Sequence, residues 1–147
     1  MSEESTRAAV RDLLDAFSRG DFERLAQRYD ENIDYMFYAP VWVFPFTGPR
    51  QGRVAVFQAY AELFKAYKIE RHVVETVIVD DDRAAALSDV TLLQRSTGRT
   101  VRSRVASFYR FREGRLVEYR GFIDSFDAVE QVLGRWLDVG PLGGAPA

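Results

Sequence analysis

The feature that most constrains this chain is a series of strand-like segments joined by very short polar turns. Residues near 70–79, 83–95, 100–112 and 115–124 are rich in β-branched and aromatic side chains. Only Asp80-Asp81-Asp82, Ser96-Thr97-Gly98 and Glu113-Gly114 separate them. Turns this short join antiparallel neighbours, because a parallel crossover needs a dozen or more residues. Such a sheet must bury one face, so the rest of the chain has to supply a cover.

The cover is helical. Val10, Leu13, Leu14 and Phe17 share one helical face, and Gly20 ends that helix. Asp21 is placed to cap a short second helix carrying Phe22, Leu25 and Tyr29. Residues 33–39 read as a strand closed by Pro40. Residues 41–50 read as a loop, with Trp42, Phe44 and Phe46 packing inward or over a pocket. A third helix follows Gly52, and a last one follows Ser125 with Val129, Val132, Leu133, Trp136 and Leu137 on one face. Residues 1–139 are expected to form one domain, and the Gly/Pro/Ala-rich 140–147 a frayed tail. Segregated helices and antiparallel strands make an α+β class. A curved, mostly antiparallel sheet wrapped around the N-terminal helices closes into a cone-shaped α+β barrel with an apolar pocket.

Composition removes several chemistries. The chain has no cysteine and one histidine, His72, so thiolate sites, a cysteine nucleophile and multi-imidazole metal sites are excluded within one chain. Neither a metal nor a cofactor is expected: no Gly-rich phosphate loop precedes a helix, and no serine lies in a Gly-X-Ser-X-Gly context. Lys and Arg total 20 against 22 Asp and Glu, which argues against a nucleic-acid partner. No apolar run approaches the roughly 18 residues of a membrane span, and the acidic start lacks a leader's features. A soluble cytoplasmic protein is the expectation.

Four stretches together resemble the nuclear transport factor 2-like superfamily, in its SnoaL-like and ketosteroid-isomerase-like branch. They are the helix, Gly-Asp turn and helix at 16–25, Gly52 with Val56 and Tyr60, and the acidic turn and small-residue strand at 80–86. The fourth is the last hairpin at 108–117 with Phe122-Ile123-Asp124. The resemblance covers roughly residues 5–137. It implies a cone with an apolar pocket, a small apolar organic ligand, and a homodimer through the outer sheet face.

Activity must be argued residue by residue, because one fold hosts many functions. Aligned on these motifs, the steroid-isomerase tyrosine falls on Leu13, its base on Phe37 or Ala39, and its acid on Ser107. None can do that chemistry. The epoxide-hydrolase set falls near Ser88, Val90 and Gly121, equally unsuited. The polyketide-cyclase branch carries an acid/base aspartate six residues beyond a Glu, matched here by Glu118 and Asp124. Asp124 is thus the first catalytic candidate, its alternative role being the cap of the last helix. His72 is the second, as a base or acid near neutral pH, its alternative being a strand residue without a role.

Strand parity sorts the remaining residues. Ser103, Val105, Ser107 and Tyr109 share one face, and Arg102, Arg104 and Arg110 the other. Ala86, Ser88, Val90 and Leu92 face inward and Asp89 outward, where it can pair with the arginines. The expected substrate-binding wall is Leu13, Phe17, Tyr35, Phe37, Trp42, Val90, Leu92, Ser107 and Tyr109. Tyr35 and Tyr109 are expected to orient the substrate, the alternative for Tyr35 being packing alone. Three functions follow: cofactor-independent isomerisation, cyclisation or dehydration by proton transfer on a small apolar carbonyl or hydroxyl compound; non-catalytic binding of a lipid-like or aromatic molecule; or an adaptor using an exposed sheet face.

Overall fold

The computed structural model describes residues 1–140, so most of the segment expected to be a tail lies outside the described residues. The elements run α1 (Glu3–Ser18), α2 (Phe22–Arg28), β1 (Tyr29–Tyr38), β2 (Gly48–Gln51), α3 (Arg53–Ala66), β3 (Tyr67–Asp80), β4 (Arg83–Gln94), β5 (Thr100–Arg112), β6 (Arg115–Phe122) and α4 (Ser125–Leu133). Helices lie on the inner side of a curved, unclosed six-stranded sheet ordered β2-β1-β6-β5-β4-β3. The fold is the cone-shaped α+β expected from sequence. No helix among the described residues is long and apolar enough to cross a membrane.

Local chemistry explains the helix ends. Ser2 caps α1 by accepting from the Ser5 amide at 3.1 Å, and Asp21 caps α2 by accepting from the Arg24 amide at 3.1 Å. The inward stripe of α1, Thr6, Ala9, Val10, Leu13 and Leu14, keeps 3.6-residue periodicity. Thr6 is fully buried, and its hydroxyl reaches the Asp81 carbonyl at 2.7 Å, tying α1 to the β3–β4 turn.

Four features differ from the sequence reading, the first being Tyr29, read on the second helix, which opens β1 instead. Residues 48–50, expected in a loop, join Gln51 in β2 and pair with β1, with Gly48 opposite Phe37 and Gln51 opposite Asp34. Pro49 hides this strand from propensity, yet an edge strand tolerates a residue with no N–H to give. β1 pairs parallel with β6, with Tyr35 opposite Tyr119 and Phe37 opposite Gly121, which makes the sheet mixed. The last helix stops at Leu133, because Gly134 turns left-handed at φ 70°. Trp136 and Leu137 therefore leave its face, and Trp136 is 84% exposed.

Two apolar clusters fill the cone. One joins α1, α2 and α3 to the sheet through residues such as Val10, Leu25, Ile33, Val56, Phe111 and Leu116. The other joins the 39–46 loop to α4 through Phe44, Tyr67, Val101 and Ala128, with Val129 and Val132 packed against it. A cavity lies between the helices and the sheet.

Candidate functional site

The cavity encloses about 150 Å3 and is mainly apolar. Its walls are built by strand parity. Along the strands the inner face of the sheet presents Tyr35, Tyr119, Tyr109 and Ala84 in one row, then Phe37, Gly121, Ser107 and Ala86. Val105 and Ser88 follow, then Ser103, Val90 and His72, then Val101 and Leu92. Leu13 and Phe17 from α1, and Tyr60 and Leu63 from α3, close the opposite side.

Most of the expected wall is therefore in place. Leu13, Phe17, Tyr35, Phe37, Val90, Leu92, Ser107 and Tyr109 all line the cavity, and so does His72. Trp42 does not, and this corrects the expectation: it is 85% exposed. The amides of Val43 and Phe44 both turn back onto the Pro40 carbonyl, so the loop sends Phe44 and Phe46 inward and Trp42 out.

Of the two roles read for Asp124, the structure shows the cap. Asp124 is exposed and does not line the cavity; its carboxylate accepts from the Asp127 amide at 3.1 Å and caps α4. Its distant partner Glu118 lies on the outer face, 3.5 Å from Arg110. The two carboxylates do not meet over a ligand.

Among the lining residues that the sequence reading did not place in the wall are Tyr29, Tyr60 and Tyr119. Tyr60 follows Val56 at helical spacing, and Tyr119 shares parity with Gly121 and Ile123, so each carried a signal. Tyr29 and Tyr60 hydroxyls lie 2.5 Å apart, and Ser107 and Tyr119 hydroxyls 2.8 Å apart. Tyr35 stacks on Tyr119 with ring centroids 4.8 Å apart. Burial pushes the Tyr35, Tyr60 and Tyr109 hydroxyls well above 10.0, and Tyr119 up to about 12. These phenols are neutral hydrogen-bond donors at physiological pH.

Gly121 is required by this packing. A Cβ there would stand 2.5 Å from the Phe37 ring and 2.7 Å from the Tyr119 hydroxyl. The glycine leaves the space that the Phe37 ring and the Tyr119 hydroxyl occupy.

His72 is half-buried, edge-on to Phe17 at 6.3 Å between ring centroids, and has no hydrogen-bond partner among the described residues. Burial lowers its pKa below 6.5, because the charged form loses hydration and gains no partner. No Asp, Glu, Lys or Arg lines the cavity. Among the described residues no cluster of His, Asp and Glu is arranged to hold a metal ion.

On the outer face Asp89 meets the arginines, as parity suggested. Arg102 binds it through two bonds of 3.1 and 2.7 Å, and Arg71 adds one of 3.2 Å. These contacts hold its pKa at about 2, the Arg102 hydrogen bonds contributing most.

A family model described as a SnoaL-like domain matches residues 10–119. A solved structure described as a candidate isomerase, from Rhodopseudomonas palustris, is 38% identical, with a TM-score of 0.80 over 92% of this chain and 100% of that one. A nuclear transport factor 2-like protein from Burkholderia xenovorans is 20% identical, with a TM-score of 0.77 over 89% of this chain and 98% of that one. A candidate SnoaL-like polyketide cyclase from Jannaschia is 18% identical, with a TM-score of 0.76 over 95% of each chain. No curated protein matches the chain.

Proposed function

The chain belongs to the SnoaL-like family within the nuclear transport factor 2-like superfamily, and from that premise we propose a cofactor-independent proton-transfer enzyme. Its substrate is a small, uncharged, apolar compound with a carbonyl or hydroxyl group. The observation that carries this reading is His72. It is the one cavity-lining side chain with an ordinary pKa near neutrality, it has no partner among the described residues, and burial favours its neutral form. A neutral imidazole accepts a proton.

In this reading the His72 ring takes a proton from the carbon beside the ligand's carbonyl. The electron pair shifts onto the carbonyl oxygen, which a wall hydroxyl stabilises. The imidazolium then returns the proton to another carbon, which is isomerisation, or to a departing hydroxyl, which is dehydration. Cyclisation results when the enolate carbon attacks a second carbonyl carbon of the same ligand, whose π pair moves onto its oxygen and takes the proton from the imidazolium. The isomerase description of the Rhodopseudomonas palustris protein agrees with the first. The neutral lining favours an uncharged ligand, because a buried charge here would find no counter-ion.

A second reading, ligand binding without catalysis, is favoured by the position of Asp124 outside the cavity. One experiment separates the two. Cyclohex-3-enone is incubated with the protein in D2O, deuterium exchange and isomerisation are followed by NMR, and 2-naphthol binding is measured alongside. His72→Gln should bind 2-naphthol normally and lose about 100-fold or more of the exchange rate. Exchange undiminished in the variant would remove His72 from the chemistry. Binding without any wild-type exchange would leave the non-catalytic reading.

We also propose that a second copy covers the outer sheet face. Tyr38 stacks on Phe122 at 4.7 Å, Phe108 stands against Phe122 at 5.9 Å, and all three are exposed. Ion pairs such as Arg120–Asp34 at 2.8 Å and Arg110–Glu118 at 3.5 Å share the sheet with them. An aromatic centre beside paired charges suits a symmetric interface.

A further inference from the structure

We propose that Phe46 is a door that sets how long a ligand the cavity accepts. With its ring turned aside, the cavity continues into a polar cleft at the end of α3. This rests on the ligand cavity proposed above and names the residue that bounds it on the side beyond His72.

The inner face of the sheet runs on past the cavity. His72 and Val90 face each other across β3 and β4. Leu92 follows two residues on, and Gln94 two beyond that, opposite Tyr67. At strand spacing Gln94 stands about 13 Å from Val90. Leu92 still lines the cavity, whereas Gln94 and Tyr67 line a separate cleft with Lys65, Arg95 and Ser96. Among the described residues Phe46 alone lines both spaces. The cavity and the cleft therefore meet at this side chain. The Phe46 ring is half-buried, edge-on to Tyr67 at 5.8 Å between ring centroids and tilted on Phe44 at 6.0 Å.

The hydrogen bonds around the ring let it turn while the walls stay. The Thr47 amide and hydroxyl both donate to the Phe44 carbonyl, at 3.0 and 2.6 Å, and the Arg50 guanidinium donates to the Pro45 carbonyl at 2.9 Å. The backbone on both sides of Phe46 is thus tied down. Across the cleft, Arg95 holds the end of α3. Its amide donates to the Ala66 carbonyl at 2.9 Å and its guanidinium to the Phe64 carbonyl at 3.1 Å. Opening is then a rotamer change of one side chain rather than a movement of the loop. Its cost is the burial that a half-buried ring gives up.

The two spaces differ in chemistry. No charged side chain lines the cavity, while Glu62, Lys65 and Arg95 line the cleft. A compact ligand leaves the door closed. A ligand with an arm on this side turns the ring aside, keeps its apolar body in the cavity and ends among groups that form hydrogen bonds.

The test is calorimetric, on the full chain. The probes are 2-naphthol and 6-(2-naphthyloxy)hexan-1-ol, whose arm covers the roughly 7 Å from the Leu92 row to the Gln94 row. The quantity read is the affinity for the long probe divided by that for 2-naphthol, which cancels losses common to both. Phe46→Ala should raise this ratio about fivefold over wild type, because no half-buried ring has to be displaced. Phe46→Leu, which keeps more of the packing, should raise it less, and Phe46→Trp should lower it. A ratio that stays at the wild-type value in the folded variants overturns the door and leaves the ligand cavity standing. A folded wild type that binds neither probe overturns both.

Discussion

Removing the side chain of Asp124 separates structural from catalytic roles at the position that sequence made most suspect. Its carboxylate satisfies the Asp127 amide at the start of α4. Losing an N-cap acceptor costs about 1 kcal/mol, and losing a negative charge at a helix N-terminus costs a few tenths more. α4 has one fully buried residue, Ala128, and leans on Val129 and Val132 against the loop cluster, so it has few other anchors. Asp124→Ala should therefore lower unfolding free energy by about 1–1.5 kcal/mol, and Tm by about 3–5 °C for a chain of this size. Asp124→Asn keeps the acceptor and should lose about 0.5 kcal/mol or less. Urea unfolding followed by circular dichroism measures both. Binding of 2-naphthol and exchange of cyclohex-3-enone should match wild type in each variant. If Asp124→Asn stays as stable as expected but loses exchange, Asp124 handles protons, and the assignment to His72 alone is wrong.

Gly121→Ala should cost about 1–3 kcal/mol, because the new methyl collides with the Phe37 ring and the Tyr119 hydroxyl. Phe37 must then move into the cavity, and calorimetry should show weaker 2-naphthol binding; unchanged stability and binding would contradict the packing described. Asp89 has a folded pKa of about 2, below its usual 3.8. The unfolded chain therefore takes up that proton first, so the Asp89 contribution is complete above about pH 3.8 and is lost as pH falls through about 2. Stability measured across that window should fall more steeply for the wild type than for Asp89→Asn, and equal slopes would refute the ion-pair reading. Phe122→Glu places a charge inside the outer aromatic group, and sedimentation should show it dissociating a dimer seen in the wild type; a wild type that is monomeric at high concentration would refute the interface.

Much of the cone was legible because two periodicities governed it. Period-2 alternation on β5 separated Ser103, Val105, Ser107 and Tyr109 from Arg102, Arg104 and Arg110, and the structure keeps that division. Helical spacing placed Leu13 and Phe17 on the cavity side. What escaped depends on backbone direction rather than period. Trp42 turns outward because the loop folds back at Pro40, and an aromatic residue between prolines gives no sign of which way it will face. β2 was hidden because Gly48 and Pro49 read as turn residues, and only the edge of a sheet makes a strand of them. Asp124 had both a capping position and a catalytic spacing. Its direction is fixed by where α4 begins, which sequence spacing leaves open. The Tyr29–Tyr60 and Ser107–Tyr119 pairs join elements 31 and 12 residues apart in sequence, so no local pattern reveals them.

The most direct test uses the fact that the chain has one histidine. NMR titration of a carbon-13-labelled imidazole needs no assignment and reports His72 alone. The account predicts a pKa below 6.5, since burial disfavours the charged ring, and a ring resonance that shifts when 2-naphthol binds. A pKa at or above 6.5 with no response to the probe would place His72 in solvent and contradict the proposed site.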